Sequence, residues 1–217
     1  MPASRPDSPA PTTPTAPFVV FEGGEGAGKT TQIARLSAAL TASGHAVITT
    51  REPGGSAVGR AIRALLLDPQ TGSLAPRTEA LLYAADRAEH VASVIRPALV
   101  LGTVVISDRY IDSSLAYQGA GRSLPLDDVA LISRWACEGL VPDLTIVLDV
   151  DPRVGLSRFT GADRLEAESL DFHDRVRQGF LDLAATDSSR YLVVDAAQPP
   201  DAIESLVVKR VREVLAA

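Results

Sequence analysis

Four residues near the start of the chain have the types and the spacing of a phosphate-binding loop. Gly23 and Gly28 are followed directly by Lys29 and Thr30. Glycines let successive N–H groups point into one cup, a lysine reaches the β- and γ-phosphates, and a threonine hydroxyl holds Mg²⁺. The alternative is an ordinary glycine-rich turn. The predicted ATP site comprises Gly23, Gly24, Glu25, Gly26, Ala27, Gly28, Lys29, Thr30 and Thr31.

A strand and a helix must hold this loop in place. Residues 18–21 are apolar and predict a buried strand, and the apolar residues at 33, 36 and 40 recur at helical spacing. Four more short strands are predicted at 46–50, 103–107, 144–150 and 191–194. Because helical stretches alternate with these strands, the sequence predicts an α/β fold with a five-stranded parallel sheet covered on both faces.

The helical stretches between the strands are predicted in less detail. One runs from about residue 77 to 101 with a bend near Pro97, one from 129 to 139, and one from 152 to about 185. Residues 119–121 predict a loop. Trp135 and Cys137 lie in an apolar helical stretch, so we expect both to be packed inside.

Three polar clusters follow the first three strands, at the edge of the sheet where open α/β folds bind ligands. They are the phosphate loop, the turn at residues 51–55, and Asp108-Arg109-Tyr110. Arg51 and Arg109 are placed to meet an anion, and arginine suits bidentate binding of phosphate. The alternative for each arginine is a surface salt bridge.

Tyr83 and Arg87 are four residues apart on a predicted helix and therefore share one face. An aromatic ring and a guanidinium could hold a planar base, one by stacking and the other by hydrogen bonding. Taken alone, the pair better fits a core tyrosine beside an arginine that pairs with Asp86 or Glu89.

A charged stretch at residues 153–168 separates the last two strands. Arg153, Arg158, Arg164 and Glu166 surround the small residues at 160–162. One interpretation is a solvated helix. The other is a lid that closes arginines over a transferring phosphoryl group.

Composition limits the class of protein. The 217 residues are 46% hydrophobic and carry a net charge of −6, which favours one α/β domain and argues against nonspecific nucleic-acid binding. Residues 1–17 are rich in proline and predict a disordered tail before a domain at 18–217. With one cysteine, no signal core and no membrane-spanning run, we expect a cytoplasmic enzyme without a membrane partner.

These motifs together resemble those of bacterial thymidylate kinases. The matching segments are the phosphate loop at 22–31, Thr50-Arg51-Glu52-Pro53-Gly54-Gly55, the helix segment 83–87, residues 107–119 and Asp163-Arg164-Leu165-Glu166. The resemblance implies a P-loop kinase fold, usually homodimeric. It implies transfer of the γ-phosphoryl group of MgATP to dTMP, giving dTDP and ADP.

The resemblance also implies roles for residues around the acceptor. Glu25 faces the deoxyribose, Tyr83 stacks on thymine, and Arg87 bonds the edge of the base. Arg51 and Arg109 hold the dTMP phosphate, with Pro53 in the adjoining turn. The base and sugar pocket is lined by Ser113, Ser114, Tyr117 and Gln118, with Tyr117 positioned to crowd a ribose 2′-hydroxyl.

Catalytic residues follow from the charge of the transition state, which needs cations near the γ-phosphoryl oxygens. One branch of the resembled family has an arginine inside the loop, where this chain has Gly26. We therefore expect an arginine of the lid to supply this positive charge, alongside Lys29 and Arg109. Arg164 is our first choice for it and Arg158 our second. We expect Asp108 to join Thr30 in serving Mg²⁺, or to orient Arg109, rather than to act as a general base.

Two other functions remain open at this point. A kinase of another nucleoside monophosphate or deoxynucleoside would share the loop but differ at residues 83, 87 and 113–118. A nucleotide-switch protein would carry an Asn-Lys-x-Asp motif and Asp-x-x-Gly after the third strand, and the sequence has neither.

Overall fold

Five parallel strands form one sheet in the computed structural model, which describes residues 16–158 and 164–216. The strand order is β2-β3-β1-β4-β5, as expected for an α/β fold of the P-loop type. The first 15 residues of the predicted tail lie outside the described residues. The strands are β1 Phe18–Glu22, β2 Val47–Arg51, β3 Val104–Asp108, β4 Leu144–Asp149 and β5 Tyr191–Asp195.

Helices cover both faces of this sheet. A π-helical turn at Val91–Ile95 joins two of them into one long rod, and another at Leu115–Gly121 extends a third. A short 3₁₀ turn occupies Pro69–Thr71. The α-helices are α1 Lys29–Ala42, α2 Ala57–Leu67, α3 Pro76–His90, α4 Arg96–Val100, α5 Ile111–Ser114, α6 Leu126–Ala136, α7 Pro152–Leu156, α8 Leu170–Ala185 and α9 Pro200–Leu215.

Residues 18–21 of β1 are all apolar because both faces of the sheet are covered. Val19 and Phe21 pack toward α1 and α9, whereas Phe18 and Val20 pack toward the α3–α4 rod. Successive side chains of a strand point to opposite faces, and both faces are covered here. The phosphate loop therefore starts from the central strand of the sheet, which is fixed on both sides.

The predicted helix at 152–185 is wrong in one respect, because it is two helices. Asp151 and Ser169 accept hydrogen bonds from Arg153 N and Phe172 N, which caps the N-termini of α7 and α8. Residues 164–168 between them form turns. The small residues at 160–162 of the predicted lid lie outside the described residues.

Two further predictions are wrong. Residues 119–121 are π-helical rather than a loop, and the glycines serve close packing: a Cβ on Gly121 would stand 2.6 Å from the Phe172 ring. Trp135 is 79% exposed, because α6 turns it away from the sheet, while Cys137 is buried as expected.

No helix among the described residues is long and apolar enough to cross a membrane.

Candidate active site

The phosphate loop has the geometry of an anion cup. Gly23 and Gly28 have φ of 130° and 89°, conformations that residues with a Cβ rarely adopt. Lys29 Nζ donates to the carbonyl oxygens of Gly23 and Gly24, at 3.0 and 2.9 Å, so the side chain curls back over the loop. Burial lowers the pKa of Lys29 and Arg109 adds to this, while Glu25 opposes it. Thr30 and Thr31 stand exposed on the first turn of α1.

Gly26 and Gly155 bring the loop against α7. Gly26 has φ of 68°, and a Cβ there would stand 2.1 Å from the carbonyl oxygen of Gly155. A Cβ on Gly155 would stand 2.1 Å from the carbonyl oxygen of Glu25. This contact leaves no room for a side chain at position 26. The slot that holds arginine in one branch of the resembled family is thus closed by backbone packing.

Glu25 points from the loop toward the residues that follow β3 and meets two side chains there. Its Oε1 accepts from Arg109 Nη2 at 2.6 Å and from the Tyr117 hydroxyl at 2.8 Å. Burial alone would raise the pKa of Glu25, but Arg109, Lys29 and the Tyr117 hydroxyl outweigh it and lower the pKa to about 2. The carboxylate is therefore charged throughout the physiological range. Arg109 also donates to the Gly23 carbonyl at 3.0 Å and so links loop and acceptor side.

Glu22 lies directly behind this cluster, fully buried at the end of β1. It accepts from the backbone N–H of Tyr110 and Ser113 and from the Ser113 hydroxyl, at 2.6 to 3.1 Å. These bonds fix the turn in which Arg109 takes a left-handed φ of 72°. Burial and the neighbouring Asp112 carboxylate raise the pKa of Glu22 to about 7.

A cleft with about 520 Å³ of empty volume opens beside this cluster. Tyr83 and Arg87 both lie in its wall, as their shared helix face predicted. Arg87 is buried and pairs with Glu52 at 2.9 Å, not with Asp86 or Glu89. The other wall residues are Glu25, Glu52, Pro53, Arg63, Leu67, Arg109, Tyr110, Ser113, Ser114, Tyr117, Gln118 and Leu165.

A buried chain of hydrogen bonds continues from Arg87 to the end of β2. Glu52 accepts from Arg87 Nε, its other oxygen lies 3.0 Å from His90 Nδ1, and His90 Nε2 lies 2.6 Å from the Thr50 hydroxyl. Arg87 Nη2 also donates to the Tyr110 carbonyl and the Ser114 hydroxyl. The guanidinium is thus held rigidly at the wall of the cleft.

The two lid arginines lie in different places. Arg158 Nη1 donates to the Gly26 carbonyl at 2.5 Å, directly over the phosphate loop. Arg164 instead donates to the Leu66 carbonyl at 2.8 Å and to Glu79 at 2.5 Å. The structure thus does not bring Arg164 to the loop, contrary to our first choice, because a buried carboxylate of α3 holds its guanidinium. Asp163 lies outside the described residues.

Oxygen ligands suited to Mg²⁺ lie beside the loop. Thr30 and Asp108 line one groove, and Asp108 Oδ1 is buried without a hydrogen-bond partner among the described residues. Mg²⁺ prefers such oxygens and keeps several waters, so the pair fits a metal that arrives with a nucleotide. Arg51 is exposed in this same groove and does not line the cleft whose wall contains Tyr83 and Arg87.

Sequence reasoning missed several residues that shape the cleft. Glu52 was only part of a turn motif, and neither Glu79 nor Arg63 was identified. Arg63 donates to the Pro53 carbonyl at 2.9 Å, which holds the turn against α2. A buried acid on a helix face that otherwise reads as apolar is the one signal that could have indicated Glu79.

Comparison with known proteins agrees with this geometry. A family model described as thymidylate kinase matches residues 21–207. The thymidylate kinase of Clavibacter michiganensis subsp. michiganensis is 52% identical over 207 residues, which cover 94% of this chain and 98% of that protein. Those of Bifidobacterium longum strain NCC 2705 and Cutibacterium acnes are also 52% identical, covering 90% and 91% of this chain and 97% of each relative. The chain therefore belongs to the thymidylate kinase family.

Proposed function

We propose that this chain transfers the γ-phosphoryl group of ATP to dTMP, giving dTDP and ADP, with Mg²⁺ bound alongside ATP. One observation carries the assignment to these residues. Glu25 belongs to the phosphate loop and also bonds Arg109 and Tyr117 of the acceptor cleft. Donor and acceptor sites thus meet at one residue, which supports the close approach that in-line transfer between two bound nucleotides needs.

On the donor side, the loop amides and the N-terminus of α1 bind the phosphates, and Lys29 moves from the loop carbonyls to the β- and γ-phosphate oxygens. Mg²⁺ offsets charge on the phosphates, and Thr30 and Asp108 would hold it. Asp108 need not take a proton, since a phosphomonoester with a second pKa of about 6 is mostly dianionic at pH 7. Catalysis is then mainly positioning and charge stabilisation.

On the acceptor side, the cleft fits a pyrimidine nucleotide. The Tyr83 ring supplies a stacking surface and Arg87 a donor for the edge of the base. Arg109 bonds to the loop and lines the cleft, where it would meet the acceptor phosphate, and Arg51 approaches from the groove that holds Asp108. Ser113, Ser114, Tyr117 and Gln118 complete the sugar and base pocket.

The principal test is a coupled ADP-release assay with ATP and a panel of nucleoside monophosphates. We expect dTMP to be phosphorylated with the highest kcat/KM and no turnover without Mg²⁺. Phosphorylation of another monophosphate with dTMP inactive would reject the proposal, and Asp108→Asn should raise the Mg²⁺ concentration needed for half-maximal rate.

The lid arginines give a second test. Because Arg158 already lies over the loop, we propose that it rather than Arg164 stabilises the transferring group. Arg158→Ala should lower kcat about 100-fold with KM for dTMP little changed. Arg164→Ala should act mainly on KM for dTMP, through its contact with Glu79. If Arg164→Ala instead lowered kcat and Arg158→Ala changed mainly KM for dTMP, Arg164 would be the catalytic arginine.

We propose further that the protein is a cytoplasmic homodimer whose kinase domain is residues 18–217. The exposed apolar side chains of α3 and α6 support a dimer: Leu81, Leu131 and Trp135 are 56%, 66% and 79% exposed. A second copy covering this face would remove them from water. Sedimentation equilibrium should give twice the chain mass for the parent protein and one chain mass for Trp135→Glu.

A further inference from the structure

Glu79 is a buried acid that does not itself line the base cleft but bonds to Gln118, a residue of its wall. The side chain is 1% exposed, on the face of α3 that also carries Tyr83. It accepts from Gln118 Nε2 at 3.0 Å, from Arg122 Nε at 3.2 Å and from Arg164 Nη2. Burial would raise the pKa of Glu79, but the bonds from Arg122, Gln118 and Arg164 outweigh it and lower the pKa. The carboxylate is therefore ionised.

An ionised carboxylate accepts hydrogen bonds and cannot donate them. Gln118 must therefore turn its NH₂ group toward Glu79, since the opposite orientation would bring two oxygens together. The remaining polar atom of the amide, Oε1, is then the one that Gln118 can offer to the cleft whose wall it forms. The charge on Glu79 fixes which end of the amide the substrate meets.

We propose that Glu79 is a specificity-determining positioning residue: it locks the Gln118 amide so that the cleft presents an acceptor to N3 of the base. Thymine carries a hydrogen on N3 and satisfies that acceptor, whereas cytosine carries a lone pair there and is repelled. This inference rests on the proposed function, because it concerns the base of the acceptor nucleotide.

The ionised state of Glu79 is held by neighbours that do not depend on the substrate. Arg122 also pairs with Glu168 at 2.6 Å, and Arg164 donates to the Leu66 carbonyl as well. Two guanidinium groups thus surround the carboxylate and oppose its protonation. A glutamine in its place could accept or donate, so the Gln118 amide would be free to turn over.

The test compares two ligands that differ only at the edge of the base. dTMP and 5-methyl-dCMP share the ring methyl, the sugar and the phosphate, and differ at N3 and the 4-substituent. Their dissociation constants are measured by calorimetry on parent protein and on E79Q. We expect the preference for dTMP to fall about tenfold in E79Q, which is the size of effect expected when one buried hydrogen bond between cleft and base is lost. An equal loss of affinity for both ligands would overturn the proposal and leave Glu79 a structural ion pair.

Two further variants keep the outcome decisive. Arg122→Ala removes a cation from Glu79 and leaves the carboxylate and the amide, so the preference should stay within about twofold of the parent value. If E79Q does not fold, Gln118→Met decides, because it removes the amide itself; an unchanged preference would then overturn the proposal. Failure of the parent protein to phosphorylate dTMP would instead reject the proposed function.

Discussion

The donor side and the acceptor side of the cleft are built in different ways. The donor side is one continuous loop whose shape comes from glycine backbone, with Lys29 donating to the carbonyl oxygens of Gly23 and Gly24. The acceptor side is assembled from side chains of several elements, and buried ion pairs such as Glu52–Arg87 hold it. The stability of the donor site should therefore depend on backbone shape, and that of the acceptor site on its buried charge pairs.

The largest effect should come from Lys29→Ala on the donor side. The loss of the cation at the β- and γ-phosphates should lower kcat about 1,000-fold, as when a central charge-stabilising group is removed. dTMP should still bind with similar affinity, because among the described residues Lys29 donates to loop carbonyl groups and to no side chain of the acceptor cleft. Calorimetry with dTMP and the ADP-release assay measure both. A parallel loss of dTMP affinity would show that the two sides are not separable in this way.

Glu52→Gln should disrupt the buried ion pair with Arg87 at the centre of the acceptor side. The change leaves Arg87 as a buried cation without its carboxylate, so we expect about 3 kcal/mol of lost stability and weaker dTMP binding. Urea unfolding gives the first quantity and calorimetry the second. ATP binding should persist, and a variant as stable as the parent would contradict the assigned role of this pair.

Gly26→Ala should damage the donor side through shape alone. The added Cβ meets the Gly155 carbonyl at 2.1 Å in a left-handed conformation, so we expect about 2 kcal/mol of lost stability. Gly24→Ala is the matched control, because a Cβ there has nothing within 4 Å, and its stability should stay within about 0.5 kcal/mol of the parent. Equal effects of the two changes would contradict the proposed packing of loop and α7.

The smallest effect concerns pH. The pKa of Glu22 is raised to about 7 in the folded state, so its contribution to stability is present below about pH 4.5 and is lost as pH rises through 7. Glu25, with its pKa lowered to about 2, has the opposite sign and loses its contribution as pH falls from 4.5 to 2.

Glu22→Gln should therefore make the decline in unfolding free energy between pH 5 and 6 shallower, by about 1 kcal/mol over that range. Burial also raises the pKa of Asp86 and Asp112, so some decline should remain. Urea unfolding at several pH values measures the slope. A slope equal to that of the parent would show that Glu22 titrates normally.

Predictions from sequence were best where the signal is local. The strands were placed to within a residue or two, since short apolar runs between polar turns report burial directly. The tyrosine and arginine of α3 were placed on one face because helical spacing fixes that relation. The carboxylate that pairs with Arg87 was not found, because Glu52 is 35 residues away and only the packing of α3 on the β2 turn joins them.

The sequence could not predict how side chains are oriented where elements that are far apart in the chain pack together. Trp135 lies in an apolar stretch, yet the exposed side of α6 depends on how that helix docks on α3. Arg158 and Arg164 both lie in the charged stretch at residues 153–168, and the position of Glu79 decides that Arg164 does not reach the loop. The glycines at 119–121 indicated a loop, whereas they serve the approach of α8.

The sequence by itself determined the phosphate loop, the parallel α/β fold and the edge of the sheet where chemistry collects, since each depends on residues close together in the chain. The tertiary structure decided which charges meet: Glu25 with Arg109, Glu52 with Arg87, and Glu79 with Gln118 and Arg164. Such pairs depend on distances between elements far apart in sequence. No local pattern encodes those distances, because they are set by the packing of the whole core.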